Sequence, residues 1–293
     1  MRRTTKGARC SAALVVALAL LLGGCTEPGE EAAVCPAARV EAGTTMARVA
    51  QTNKLRVGTK FDQPLFGLKG LTGKPEGFDV EIAKMVACAL GIQPGRIGWV
   101  ETPSAVREEK IVQGAVDMIV ATYTINDKRR QRVSFAGPYY EAGQDLMVKK
   151  ANTTITGSDS LRPLRAKVCS VSGSTPAERI KSYIDGRRLV LFDVYSKCAD
   201  ALRTGQVDAV TTDNVVLLGL IDQTGKRFKL VGKPFNREPY GIGIKKGDVK
   251  FCEFIDSVLR QAAQDGRYQA AWERTAGKVA GSAPPLPRFD TCS

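Results

Sequence analysis

Three observations predict an α/β protein of two lobes. Strand-like and helix-like stretches alternate along most of the chain, which argues for parallel-rich sheets with helices on both faces. The alternation runs through twice in similar outline, each time reaching a strand that ends VDMIVAT (116–122) or VDAVTT (207–212) after a Gly-Ala or Gly-Gln turn. The length, 293 residues, suits about two domains, and a hydrophobic content of 43% can fill two modest cores.

The elements follow in order. Residues 1–24 have the form of an export signal, with Arg2, Arg3, Lys6 and Arg9 ahead of an apolar run at 12–22 that is too short to span a bilayer as a stable helix. Residues 26–33 (TEPGEEAA) are small, acidic and poor in apolar side chains, and read as a tether. The first α/β unit opens with a strand at 55–59. Gly77-Phe78-Asp79 then leads into an amphipathic helix with Val80, Ile82, Ala83, Val86 and Leu90 near one face. A strand at 97–100, a helix capped by Ser104 and running through Val112, and a strand at 116–122 complete the unit. The second unit begins near Lys167 with strand KVCSV, loop SGSTP and a helix to Ile184. Strand RLVLF, helix KCADALRTG, strand VDAVTT and a helix from Asp213 follow. The chain returns through 240–245 and ends in helices at about 248–265 and 267–275. Crossings near 141–147 and 237–243 would form a two-stranded hinge. The expected organisation is a leader at 1–24, a tether and arm at 25–50, a discontinuous first lobe (51–141 with 241–293) and a second lobe at 142–240.

Composition removes several function classes. The formal charge is +13, and without the leader 39 basic residues face 30 acidic ones. Such a surface suits nucleic acid, anionic lipid or a small anion, but no basic stripe interleaved with aromatics is present, so nucleic acid is not expected. Histidine is absent, which excludes His-based triads, His general bases and the common His metal sites. Neither a metal nor a cofactor is expected. Beyond Cys10 and Cys25 six cysteines remain, an even number that in an oxidising compartment allows up to three disulfides in any of fifteen pairings. The element order favours Cys169 with Cys198; for the other four it leaves the pairing open, Cys252 with Cys292 (last helices to tail) and Cys35 with Cys88 (arm to first helix) being one choice.

The most informative stretch is 120–140, VATYTINDKRRQRVSFAGPYY. Thr124 and Arg129 lie five residues apart across a strand-to-helix turn, with Asn126 and Asp127 able to cap the helix that carries Arg129. That arrangement can aim a hydroxyl, free backbone N–H groups and a guanidinium fork at one anion, although a run of Lys128, Arg129, Arg130 and Arg132 is also what a solvated basic face looks like. Further strand ends that would open onto the same crevice carry Lys60, Thr122, the Gly173-Ser174-Thr175 loop and Asp213.

Thr-x4-Arg followed by Phe135-Ala136-Gly137-Pro138-Tyr139 resembles the polar amino-acid-binding proteins of ABC importers, the bacterial extracellular solute-binding proteins of family 3, over roughly residues 54–277. The resemblance implies a class II periplasmic-binding-protein-like fold, with two doubly wound lobes joined by a two-stranded hinge. It also implies that Arg129 grips a ligand's α-carboxylate and Asp213 its ammonium. Positions like Lys60, Ser104 and Arg107 are basic or hydroxylic in the glutamate- and aspartate-binding members. Leu22-Gly23-Gly24-Cys25 resembles a bacterial lipobox, in which Cys25 would be lipidated and become the first mature residue.

The expected function is therefore not enzymatic. A monomeric lipoprotein, anchored at Cys25 on the extracytoplasmic face of the cell membrane, would close on L-glutamate or L-aspartate through Lys60, Ser104, Arg107, Thr122, Thr124, Arg129, Ser174, Thr175 and Asp213. Its closed form would dock on an ABC permease. The alternatives are a sensor reporting to a membrane receptor and a dehydratase on the same fold, which would need a proton donor over the leaving group.

Overall fold

The computed structural model describes residues 35–36 and 39–293; the expected leader, Cys25 and the tether through residue 34 lie outside them. Residues 35–293 form one compact unit. Among the described residues, this unit holds two five-stranded sheets and a three-stranded one, four core clusters and three disulfides, Cys35–Cys88, Cys169–Cys198 and Cys252–Cys292. Among the described residues, the sheets, cores and covalent cross-links of both lobes thus lie within it.

The first lobe begins with α1 (Thr45–Thr52) and β1 (Leu55–Thr59), followed by a small meander of β2 (Asp62–Gln63), β3 (Gly67–Lys69) and β4 (Pro75–Glu76). Then come α2 (Phe78–Ala89), β5 (Ile97–Glu101), α3 (Arg107–Val112), β6 (Met118–Ile119), α4 (Asp127–Arg130) and β7 (Val133–Ala142). The second lobe comprises β8 (Gln144–Lys149), β9 (Val168–Val171), α5 (Thr175–Arg179), β10 (Leu189–Phe192), α6 (Tyr195–Thr204), β11 (Ala209–Asp213), α7 (Asn214–Gln223) and β12 (Phe228–Leu230). The chain returns as β13 (Glu238–Lys245) and finishes with α8 (Val249–Gln264), α9 (Arg267–Arg274) and α10 (Gly277–Ala280).

Strand order is β5-β1-β6-β13-β7 in the first sheet and β10-β9-β11-β8-β12 in the second. In each, three strands run parallel and the strands of the crossing are antiparallel additions. Both faces of each sheet are covered. An aromatic cluster of Phe66, Phe78, Tyr139, Tyr140, Tyr240 and Trp272 fills the larger core of the first lobe, with edge-to-face contacts such as Phe78–Trp272 at 5.1 Å between centroids. Two separate clusters, one around Leu202 and Leu217 and one around Leu161 and Ile180, pack the second sheet. Burial on both faces removes the alternation that a half-exposed strand would show, as in β9, where all four residues are buried.

Four expectations shift. The strand at 116–122 contracts to Met118–Ile119, because the chain leaves the ladder and Thr122 adopts φ +45 with its amide held by Asp79 Oδ2 at 2.7 Å. Ser104 does not cap the helix before Val112. It begins a short 3-10 turn after Pro103, and its hydroxyl accepts the Lys60 ammonium. The helix after Pro176 ends at Arg179 and continues as a 3-10 turn to Ser182, short of Ile184. The second crossing falls earlier than 237–243, since Tyr240 to Lys245 are already paired with β7, while Phe235 N donates to Gln144 O in the second lobe. The chain therefore changes sheet at Gly143 and again at about 235–238.

Candidate ligand-binding cleft

The sheets aim the carboxyl ends of their parallel strands at one another, and the boundary between the lobes collects the charged side chains that the strand ends carry. At the end of β1, Lys60 is buried and donates from Nζ to Ser104 Oγ at 2.8 Å. Burial first, and then repulsion from Arg107, push its ammonium down to about 7. Arg107 opens α3 and is equally buried. One of its terminal nitrogens donates to Ala121 O at 2.9 Å, its guanidinium lies 4.2 Å from the Tyr123 ring centroid, and its Nε has no partner among the described residues. Neither Lys60 nor Arg107 is a surface residue.

Arg129 is placed by local chemistry. Asn126 Oδ1 accepts the Arg129 amide at 2.9 Å and starts α4, which turns the guanidinium inward until the residue is only 6% exposed. Its Nε pairs with Glu108 at 3.2 Å, one terminal nitrogen donates to Thr124 O at 2.5 Å, and the other crosses the lobe boundary to Gly173 O at 3.2 Å. Three of five donors are thus engaged, leaving one N–H on each terminal nitrogen for a carboxylate. Burial and the neighbouring Arg107 push this guanidinium down to about 10, and the Tyr123 ring, 5.0 Å away, partly offsets the crowding of like charge.

From the second lobe, Ser174 caps α5 by accepting the Ala177 amide at 3.1 Å, so part of its hydrogen-bonding capacity serves the helix. Thr175 reaches across to within 3.2 Å of Thr124 Oγ1 and donates to Glu238 Oε2 at 2.6 Å. Asp213 stands at the N-cap position of α7 but makes no capping bond. Instead its Oδ2 accepts the Tyr240 hydroxyl at 2.6 Å, while Oδ1 is buried without a partner. Burial and then repulsion from Glu238 raise its carboxyl to about 8. Thr122, by contrast, is consumed in the floor of the first lobe. Its amide goes to Asp79, and its hydroxyl donates to Gln63 Oε1 or Ala121 O.

The lobes are shut. Besides the Arg129–Gly173 and Thr175–Thr124 contacts, Tyr195 N donates to Asp62 Oδ2 at 2.7 Å across the boundary. A Cβ on Gly173 would come within 2.7 Å of Ala105 Cα, and one on Gly219 within 2.5 Å of Pro64 O. An opening of about 230 Å3 remains at this boundary, lined by Ser104, Glu108, Arg129, Gly173, Ser174 and Thr175 among others. Gly173→Ala should therefore oppose closure through the Ala105 backbone, beyond the intrinsic cost of its φ of +77. The expected result is amino-acid affinity weakened about 10- to 100-fold, the equivalent of ~1.4–2.8 kcal/mol, in a protein whose lobes still fold. Calorimetry with small-angle scattering reads both, and unchanged affinity would show that closure does not need this approach.

Sequence reasoning missed Asp79, Glu108, Glu238 and Tyr240. Asp79 joins Thr122 to the Tyr139 hydroxyl (2.6 Å to Oδ1), and burial raises its carboxyl to about 7. The available signal was an acid beside the returning hinge strand in Glu238-Pro239-Tyr240, but its partner Thr175 lies 63 residues away in sequence.

Comparison with known proteins gives a consistent neighbourhood. The family model for bacterial extracellular solute-binding proteins, family 3, matches residues 55–278. The glutamate-binding protein GluB of Corynebacterium efficiens is 38% identical over 238 residues, covering 78% of this chain and 81% of that protein. The ABC transporter glutamine-binding protein GlnH of Bacillus subtilis is 36% identical over 256 residues, covering 87% and 92%. Among solved structures, an ancestral arginine-binding protein bound to glutamine superposes with a TM-score of 0.71 at 35% identity, covering 76% of this chain and 97% of that one.

Proposed function

The chain belongs to the bacterial extracellular solute-binding proteins, family 3, and from that premise we propose that it is a lipid-anchored, monomeric binding protein that closes on an acidic amino acid for an ABC importer. The observation that carries the reading is that, among the described residues, two of the four buried side-chain atoms without a hydrogen-bond partner are the Arg107 Nε donor and the Asp213 Oδ1 acceptor. Polar atoms buried this way cost free energy unless something fills them. A zwitterion with an acidic side chain supplies both complements. Its ammonium would meet Asp213 Oδ1, its α-carboxylate the two open N–H groups of Arg129, and its side-chain carboxylate Arg107 and Lys60.

Charge decides between the acid and its amide. Two buried guanidiniums, Arg107 and Arg129, converge here with the buried Lys60 amine, and a neutral amide would leave one guanidinium uncompensated. Leaving one member of a buried pair alone typically costs ~3–5 kcal/mol, a factor above about 100 in affinity. Titrating the unit from residue 35 with the twenty amino acids by calorimetry tests this, with glutamate or aspartate expected to exceed glutamine by at least that factor. Glutamine binding as tightly would overturn the acidic preference, and no binding at all would overturn the capture of an amino acid. Arg107→Ala should erode the ratio of acid to amide while leaving amino-acid binding in place. For the anchor, Cys25→Ser should release the protein from membranes and abolish incorporation of labelled fatty acid. The ligand leaves unchanged in this reading, handed to a permease that recognises the closed form.

A further inference from the structure

We infer that the second lobe carries a docking surface for the anionic headgroups of a phospholipid bilayer, separate from the cleft. The loop that precedes β9 and the 3-10 turn that precedes β10 bring Arg162 and Arg165 together with Arg188 around one opening of about 450 Å3. The carboxylate there, Asp185, pairs with Arg187 at 3.2 Å, and Arg188 joins Arg187 in holding it below the ordinary carboxylate range. Arg162 spends one nitrogen on Ser182 O at 2.8 Å. Among the described residues, Arg165 and Arg188 have no ion-pair partner of their own. Four guanidiniums against one carboxylate is an excess that a fully solvated face does not need, and planar forks suit phosphate oxygens.

The apolar neighbours choose the occupant. Leu164, between Arg162 and Arg165 in sequence, is 46% exposed, and Leu191, on the edge strand β10 that follows Arg188, is 45% exposed. Large exposed apolar side chains within three residues of these arginines in sequence gain nothing from a free phosphate ion. At a bilayer interface they can enter the headgroup region while the guanidiniums meet phosphates. Chain length agrees, because a lipid on Cys25 would leave ten residues before Cys35, at most ~35 Å when extended. The domain would thus spend its life within reach of lipid. The docking itself does not depend on that anchor and is tested without it.

The test is sedimentation of the unit from residue 35 with vesicles of zwitterionic lipid and with vesicles containing about a third anionic phospholipid, at low and high salt. Binding is expected to the anionic vesicles and to fall with salt. The variant Arg162→Glu/Arg165→Glu/Arg188→Glu should lose about 100-fold in partitioning, the scale on which three surface arginines add to attraction by anionic lipid. Leu164→Ser should weaken binding less, and the amino-acid titration should be unchanged in both. Reversing Lys74, Lys245 and Lys246, exposed on the first lobe, should leave most of the binding intact. Equal losses in the two charge variants would reduce the effect to net charge and overturn the surface. So would inorganic phosphate binding at the three arginines with no attachment to vesicles.

Discussion

Arg129→Ala is expected to abolish amino-acid binding, with affinity falling about 1,000-fold or beyond detection. The side chain makes three kinds of contact at once, to Glu108, to the Thr124 carbonyl and across the boundary to Gly173. Truncation removes the proposed carboxylate clamp and leaves the ligand's anionic end buried without its partner, a loss of ~3–5 kcal/mol when one member of a buried charge pair is deleted. It also removes one of the contacts that hold the lobes shut. Stability of the ligand-free protein should change little, because the guanidinium is itself held in an unfavourable setting by burial and by Arg107. Calorimetry against glutamate alongside a thermal melt separates the two effects. Binding within about tenfold of the original protein would remove Arg129 from the site.

Asp213→Asn should raise stability at alkaline pH while also destroying binding. The Asp213 carboxyl is raised to about 8 in the folded protein from an ordinary value of 3.8. A group raised in this direction contributes stability that is fully present below 3.8 and lost as pH climbs through about 8. The amide cannot ionise, so the ligand-free variant should melt above the original protein at pH 8–9, by at least the 2–4 °C that ~1 kcal/mol gives a chain of about this size. The two melting curves should converge near pH 4. Lys60 pulls the other way, since its lowered ammonium value makes stability rise with pH from about 7 up to 10.5, but that trend is common to both proteins. Ligand should no longer raise the melting temperature of the variant, because the ammonium has lost its carboxylate. A variant that melts lower at pH 9 would mean that the Tyr240 bond to Asp213 outweighs the burial of charge.

The local geometry that joins Thr124 and Arg129 was legible early because its contacts are close in sequence. The cap at Asn126 lies three residues from the amide it satisfies, and the Thr124 carbonyl five residues from the guanidinium it receives, so a linear reading contains that whole local device. Asp213 was legible for a related reason, as an acid where a buried strand gives way to a helix. Ser174 was read for the cleft, yet the helix also claims its oxygen, because capping is the nearest use for a hydroxyl at that position. Thr122 was read as facing ligand, but a left-handed backbone angle turns its amide to Asp79, which no spacing rule anticipates.

What the sequence determined by itself is whatever a few neighbouring residues can impose. The order of strands and helices, a guanidinium five residues from a hydroxyl at a strand end, and the absence of imidazole chemistry are of this kind. The structure alone decided which charges are buried together. Lys60 meets Ser104 44 residues away, Thr175 meets Glu238 63 residues away, and Asp213 is left with one oxygen satisfied and one bare. Ionisation in this cleft depends on desolvation and on distances across the lobe boundary. Those quantities come into existence only when two separately wound sheets shut against each other.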